Sequence, residues 1–501
     1  MQNSSTIHCA WLLVEPGKAP AISDQKILLS GGIVADFSNS YTTDKIASEK
    51  SKKLIVPVLA NAHDHARTMR SASLGAFDQP LESWLPYLGV LPGVDPYLCA
   101  ATSFARSVRG GVGYLMVHYT RVQGTIPYIQ EAKAVAHAAR DVGVKIGFAV
   151  AMRDKNGIAY NEDSSTLATI SPTIREEVAR RLSVRVNTPA HHLALVDEVA
   201  TMIAEDTNLA KHVTVQYGPN GVQWCSQALL EAIAKASADT GRPVHMHLLE
   251  TKYQRQWSDL HYPHGVVNYL DSLGLLSPRL TLAHCTWARP DELALLAERG
   301  VTIAVNTSSN LGIKSGIAPV GLMLKAGCRV AMGLDGLAFD EDDDAIREMR
   351  LGYQLHRGWG FDSEMNREQW WAFAAGNGRR SVTGADGIAR LASGDPADLI
   401  VMNWDALDSL ALFDDIDPLD ILLARGNASY IEQVLIGGRE VVQGGKLATL
   451  DENALNAELL AQWTAAIQKD SGSVSEWRKA LVQLSGDLSQ FYQNGFHAGC
   501  C

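Results

Sequence analysis

The chain has 501 residues, 46% of them hydrophobic and 20% charged, an ordinary globular composition that excludes wholesale disorder and allows a large core. Its 44 Lys and Arg stand against 55 Asp and Glu, a formal net charge of −11 that does not suit a nucleic-acid binder or a protein gripping anionic membranes. No apolar run reaches the roughly 18 residues of a membrane helix. Met1-Gln2-Asn3-Ser4-Ser5 lacks the basic and apolar regions of a signal peptide. The seven cysteines, with no Cys-x-x-Cys pair, read as reduced thiols of a cytoplasmic protein.

Residues 1–53 carry β-type pieces, Ile27–Leu29 and Gly31–Ala35, with no helix between them. From there, short β-branched runs alternate with longer helical stretches. The predicted strands are Leu54–Ala60, Gly113–His118, Val144–Ala151, His212–Tyr217, Pro243–Leu248, Leu280–Ala283, Val301–Val305 and Arg329–Leu334. Alanine-rich segments with apolar residues at helical spacing lie between them: Ile129–Val142, Ser226–Thr240, His264–Leu276, Pro290–Arg299 and Val320–Ala326. Glycines 143, 241, 300 and 327 stop a helix just before the next strand. Apolar strands alternating with helices imply a covered parallel sheet. Eight such units favour a closed (β/α)8 TIM-like barrel over a doubly wound open sheet. β character returns in Ala397–Met402, Ile431–Ile436 and Glu440–Val442, and the remaining tail reads as helical, ending in a soft Gly495–Cys501 stretch. The expected organisation is therefore a barrel over 54–387 and a small β-sandwich domain built from both termini, 1–53 and 388–450. A helical tail follows over 451–501.

Chemistry-bearing residues fall at strand ends. Asn61-Ala62-His63-Asp64-His65 follows the first strand, and residues two apart on a strand share a face, so His63 and His65 converge at the barrel mouth. Neutral imidazoles there suit Zn²⁺ or Fe²⁺. The fifth strand supplies His245 and His247, either of which could reach the same ion, with His247 nearer the mouth and His245 the better candidate for a barrel-lining hydrogen bond. Glu250 stands three residues beyond His247, where a carboxylate could take a proton from attacking water and pass it to a leaving nitrogen. The sixth strand ends on His284, and the eighth on Asp335.

These motifs resemble the amidohydrolase superfamily, and within it the branch of cytosine and guanine deaminases and triazine hydrolases. The resemblance also rests on Asp78-x-Pro80-Leu81-x-x-Trp84-Leu85, His247-x-x-Glu250, Asn306-x-x-Ser309-Asn310, Ser315-Gly316-Ile317-Ala318-Pro319, Gly333-x-Asp335-Gly336 and Gly394-x-Pro396-Ala397-Asp398-Leu399-Ile400. It spans about residues 54 to 445. It implies one divalent metal, zinc first and iron as the alternative, bound by His63, His65, His247 and Asp335. Glu250 would be the proton shuttle, His284 would orient water or polarise the electrophilic carbon, and Asp335 would also serve as base. It implies a homodimer as well. Binuclear relatives need a bridging carboxylate or modified lysine on the fourth strand. Here that strand reads Val213-Thr214-Val215-Gln216-Tyr217-Gly218, so one metal is expected.

The expected reaction is hydrolysis of the C–NH2 group of a purine, pyrimidine, pterin or s-triazine, with release of ammonia. The alternatives are a cyclic amide, or the C–Cl or C–N(alkyl) bond of a triazine, on the same site. Glu250 favours deamination, because an amine needs a proton to leave and chloride does not. A catalytically silent binding protein is disfavoured, since all four ligands and both acid–base residues are present. Trp84 and His118 are candidate substrate contacts, each with a structural alternative as a buried residue. Arg153 reads as salt-bridged, His191 and His192 as surface residues, Asp340 to Asp344 as a solvated loop, and Cys285 as turned away from the site.

Overall fold

The computed structural model describes residues 4–39, 52–337, 339–387, 389–413 and 415–499; Cys500, Cys501 and Met1–Asn3 lie outside them. Eight parallel strands form the central sheet: β5 (Leu59–Asp64), β6 (Val112–Tyr119), β7 (Lys145–Met152), β8 (Val213–Pro219), β9 (Val244–Leu248), β10 (Leu280–His284), β11 (Thr302–Val305) and β12 (Arg329–Met332). Each pairs with the next in sequence order. The two ends meet where the Asp335 N–H donates to the His63 carbonyl and the Leu334 N–H to Asn61 Oδ1, both at 2.9 Å. The ring of strands is thus drawn shut beside the two histidines of the first motif.

Helices follow the expected segments closely: Tyr128–Val142, Gln227–Thr240, Val266–Ser272, Pro290–Glu298 and Val320–Lys325. Gly143 and Gly241 end their helices in the left-handed region, at φ 96° and 71°, which glycine enters without a side-chain penalty. Gly333 serves another purpose. A Cβ there would sit 2.0 Å from Asn306 Oδ1 and 3.0 Å from His63 Cβ, so only a bare backbone lets β12 approach the site.

The termini build a second eight-stranded sheet from β1 (Ser4–Leu12), β2 (Ile22–Ser30), β3 (Ile33–Asn39), β4 (Lys53–Pro57), β13 (Leu399–Asn403), β14 (Ile431–Ile436), β15 (Arg439–Gln443) and β16 (Lys446–Leu447). Its order is β16-β15-β14-β13-β4-β1-β2-β3. The sheet curls so that Ile33, on its edge strand β3, bridges Pro396, enclosing a core of Leu12, Ile27, Val34, Ile55, Leu399 and Val401. One expectation is corrected here. The single strand expected over Leu54–Ala60 is two: β4 pairs with β13 in the terminal sheet, and after Pro57 and Val58 the chain enters the barrel as β5. Both halves are uniformly apolar, so composition gave no sign of the break.

The tail forms two helices, Glu452–Lys469 and Ser471–Gln493. The first buries only Leu459, against Val94, Leu98 and Cys99. The second buries Trp477, Ala480, Leu481, Leu484, Leu488, Phe491 and Tyr492 along one face, the stripe expected of a docked helix.

Candidate metal centre and catalytic cavity

His63 and His65 sit on and just beyond β5, and His247 on β9; all three are buried. Each imidazole is oriented from behind. His63 Nδ1 lies 2.8 Å from His245 Nε2, His65 Nδ1 2.7 Å from the His118 carbonyl, and His247 Nδ1 2.7 Å from the Asn220 carbonyl. A carbonyl can only accept, so Nδ1 carries the proton in His65 and His247 and leaves Nε2 with a free lone pair. His63 Nε2 is fully buried and has no hydrogen-bond partner.

The Nε2 atoms of His65 and His247 are 3.4 Å apart, and Asp335 Oδ1 lies 3.1 Å from His65 Nε2 and 3.5 Å from His63 Nε2. Bonds of about 2.05 Å to a tetrahedral zinc put neighbouring ligand atoms about 3.3 Å apart. These three separations match that spacing, and the candidate ligand groups are His63, His65 and His247, and His63, His284 and Asp335. Burial and the surrounding imidazoles hold His63 and His247 well below the usual histidine pKa, and burial with the Arg67 charge lowers His65 to about 4. All three imidazoles are neutral near pH 7, the form that can bind a metal ion.

Asp335 follows β12 in the left-handed conformation, at φ 56°. Its Oδ2 accepts from Ser309 Oγ at 2.7 Å, and Arg67 Nη1 donates to its carbonyl at 2.7 Å and to Oδ1 at 3.2 Å. Burial pushes its pKa up, but the Arg67 charge beside it outweighs burial and holds it far below the usual carboxylate range. Asp64 completes the frame: it accepts from Asn61 Nδ2 at 2.8 Å and from the Gly336 N–H at 2.9 Å, tying the first and last strand ends together.

Glu250 is 2% exposed, with Oε2 3.6 Å from His284 Nε2 and Oε1 3.4 Å from Ser315 Oγ. Burial, together with the charges of Asp335 and Glu82, raises its pKa well above the ordinary value. His284 ends β10 at φ 73°, and its Nδ1 bonds Asn310 Oδ1 at 2.9 Å, which turns Nε2 toward Glu250.

The cluster opens into a cavity of about 470 Å³, within the range of small-molecule sites. His65, His247, Glu250, His284 and Asp335 line it, as does Trp84, whose ring carries the Arg67 guanidinium 4.9 Å above its centre. His118 lines no part of it. It is fully buried, stacks on His247 at 4.9 Å and donates to the Gly218 carbonyl, so it stands behind the histidine cluster.

Other expectations change. Arg153 lines the cavity, and among the described residues its guanidinium makes no ion pair. The acidic run is not uniformly solvated: Asp343 and Asp344 are 1% and 3% exposed. Asp343 approaches Arg106 and Ser107, and Asp344 caps helix Ala345–His356. His192 is buried while His191 is exposed. Cys285 is buried and away from the cavity, as expected. Gln216, on the fourth barrel strand, donates to the Ser381 and Val382 carbonyls. Glu82, Tyr160 and Tyr492 also line the cavity, and no motif in the sequence marks them. Glu82 accepts from the Tyr160 hydroxyl at 2.8 Å and from Thr251 Oγ1 at 2.5 Å.

The chain is 26% identical over 444 residues to a 5′-deoxyadenosine deaminase of Methanothermobacter thermautotrophicus, covering 87% of this chain and 93% of that protein. Among solved structures it resembles an adenosine deaminase from Xanthomonas campestris with bound zinc, at a TM-score of 0.71 and 22% identity, over 93% of this chain and 98% of that one. An atrazine chlorohydrolase from Arthrobacter aurescens complexed with zinc aligns at 0.66 and 18% identity, over 91% and 99%. At these identities the solved structures speak for the fold alone. Residues 54–441 match the amidohydrolase family. The chain belongs to the amidohydrolase family and is a hydrolase of C–N bonds.

Proposed function

We propose that the protein is a mononuclear metal-dependent deaminase in which His63, His65, His247 and Asp335 hold one divalent ion, zinc in preference to iron. The observation that carries this is the clustering of the His63, His65 and His247 imidazoles, with Asp335 Oδ1 within 3.5 Å of the His63 and His65 Nε2 atoms and each Nδ1 already bonded elsewhere. When bound, such an ion lowers the pKa of water toward neutrality and so supplies a nucleophile.

The chain's own residues handle protons and position. Glu250, with its raised pKa, stores a proton beside His284 and delivers it to the departing nitrogen. His284, held by Asn310, presents Nε2 to the reacting carbon or to the water. Asp335, kept ionised by Arg67, is the base toward that water. Trp84 offers an aromatic surface to the substrate. His118 acts through His65, whose Nδ1 proton its carbonyl receives, and not by touching substrate.

The substrate is an amino-substituted nitrogen heterocycle and the product is ammonia. Purines come first among the ring classes, on the strength of the deoxyadenosine deaminase relative; pyrimidines, pterins and s-triazines follow. Catalysis is assigned to residues 54–387, with 1–53 and 388–450 as the supporting β domain and 451–501 as the tail. The five described cysteines are all unpaired, which supports a cytoplasmic setting. No described helix is long and apolar enough to cross a membrane. A homodimer is proposed from the family resemblance. The test is a side-by-side assay of aminopurines, aminopyrimidines, aminopterins, aminotriazines, a chlorotriazine and a cyclic amide. Ammonia from an amino-heterocycle is expected; chloride or a ring-opened acid as the sole product would overturn the reading.

A further inference from the structure

The cavity is not walled by the barrel alone. Tyr492, near the end of helix Ser471–Gln493, lines it together with Glu82, Tyr160 and Glu250. This helix lies beyond residue 441, where the family match ends. It is fastened to the loops that leave three different barrel strands. After β7, Asp487 accepts from the Ser171 N–H at 2.8 Å and from its hydroxyl at 2.9 Å, Arg181 donates to Ser473 Oγ at 2.7 Å and lies over the Trp477 ring, and Asn161 donates to the Phe496 carbonyl at 2.8 Å. After β9, the Tyr492 ring meets Tyr253 at 4.9 Å, and His497 Nε2 bonds Gln256 Oε1 at 2.9 Å. After β5, Trp477 Nε1 is 3.7 Å from the place a Cβ on Gly89 would take.

Tyr492 also connects to the chemistry. Its ring centre is 5.4 Å from that of Tyr160, whose hydroxyl bonds Glu82 and is 3.3 Å from Gln254 Nε2. Gln254 Oε1 in turn accepts the Glu250 N–H at 2.8 Å. Displacing Tyr492 would therefore both open the outer wall and loosen the support beneath the proton shuttle.

We propose that the C-terminal tail is part of the active site, and that Tyr492 is a specificity-determining residue that limits the size of the group a substrate carries on its ring. This rests on the deaminase reading for its substrates but not for its geometry. The argument is steric: 5% of Tyr492 is exposed, and the remainder is fixed between Tyr160, Tyr253 and His497. The cavity cannot widen on that side without moving the tail. Shortening this one side chain adds room where a ring substituent would extend.

The test uses the full-length, metal-loaded protein with Tyr492→Ala, Tyr492→Leu and Tyr492→Phe. The first readout is kcat/KM for an unsubstituted and an N-substituted member of whichever ring class the wild type deaminates. The Ala variant should shift that ratio toward the larger substrate by about tenfold or more, Leu by less, and Phe hardly at all. The second readout is the rate at which 1,10-phenanthroline removes the metal, measured where the rate rises with chelator concentration. It should rise several-fold in Tyr492→Ala and stay near wild type in Tyr492→Phe. An Ala or Leu variant with wild-type metal content that keeps both the selectivity and the chelation rate would overturn the proposal. If the wild type deaminates nothing in the panel, the deaminase reading falls, and the chelation rates alone decide whether Tyr492 walls the site.

Discussion

The Asp335 backbone N–H donates to the His63 carbonyl at 2.9 Å, so the contact that shuts the barrel also fixes two side chains of the candidate metal centre against each other. Asp335 Oδ1 then lies 3.5 Å from His63 Nε2. Site geometry and barrel closure are one constraint. Gly333, two residues earlier, permits the approach, and Asp64 reinforces it by accepting the Gly336 N–H.

Glu250→Gln should leave the metal content unchanged, because Glu250 is outside the set of converging ligand atoms. It should lower kcat by about 100- to 10,000-fold, the usual range for loss of a positioned acid–base group. Parallel metal analysis and steady-state kinetics check this. A near-wild-type rate would remove Glu250 from the mechanism.

His247→Ala and His245→Ala separate a ligand from its support. His247 Nε2 faces the cluster, whereas His245 Nε2 is occupied by His63 Nδ1. After dialysis against a weak chelator, the His247 variant should hold almost no metal. The His245 variant should bind about 10- to 100-fold more weakly than wild type, the typical effect of losing a residue that orients a ligand. The reverse ranking would exchange the two roles.

The sequence made the barrel readable because each core strand is a short β-branched run bounded by glycine or charge, as in Val144–Ala151 after Gly143. His63, His65, His247, Glu250, His284 and Asp335 all stand at or beyond strand ends, where chain order and strand periodicity already bring them to one mouth. What stayed hidden depends on contacts between distant loops. Nothing local marks Tyr160 and Tyr492 as neighbours, 332 positions apart by number, since their meeting depends on how the tail docks. Arg67 belongs to none of the motifs, yet it is 7% exposed and set between Trp84 and Asp335. Asp343 and Asp344 were hidden by their charged neighbours, although only Asp340 of the run is well exposed.

Arg67→Met should destabilise the metal-free protein more than the loaded one. Arg67 is the cation paired with buried Asp335, and breaking such a pair costs about 3–5 kcal/mol when the remaining charge is uncompensated. A bound cation beside Asp335 would replace much of the lost charge. Thermal unfolding of both forms checks this, and equal losses in the two forms would contradict it.

Glu348 predicts a pH dependence away from the site. Burial raises its carboxyl to about 7, even though Ser308 donates to it through N–H and hydroxyl. The folded state therefore keeps this proton between the ordinary carboxylate pKa and about 7, while the unfolded state releases it. Stability from this group falls as pH rises through that window and is flat above it. At about 1.4 kcal/mol per pKa unit, the effect is a few kcal/mol at most. Glu348→Gln should lose this slope, so its melting temperature should drop less between pH 5 and pH 8 than that of wild type. An unchanged slope would assign the dependence elsewhere.

The most direct test of the central claim is a titration of metal-free protein with zinc, following ammonia release from the best amino-heterocycle at each step. Ammonia release should rise in proportion to bound metal and reach its plateau at one ion per chain. A plateau at two ions, or full occupancy with no ammonia from any ring class, would contradict it.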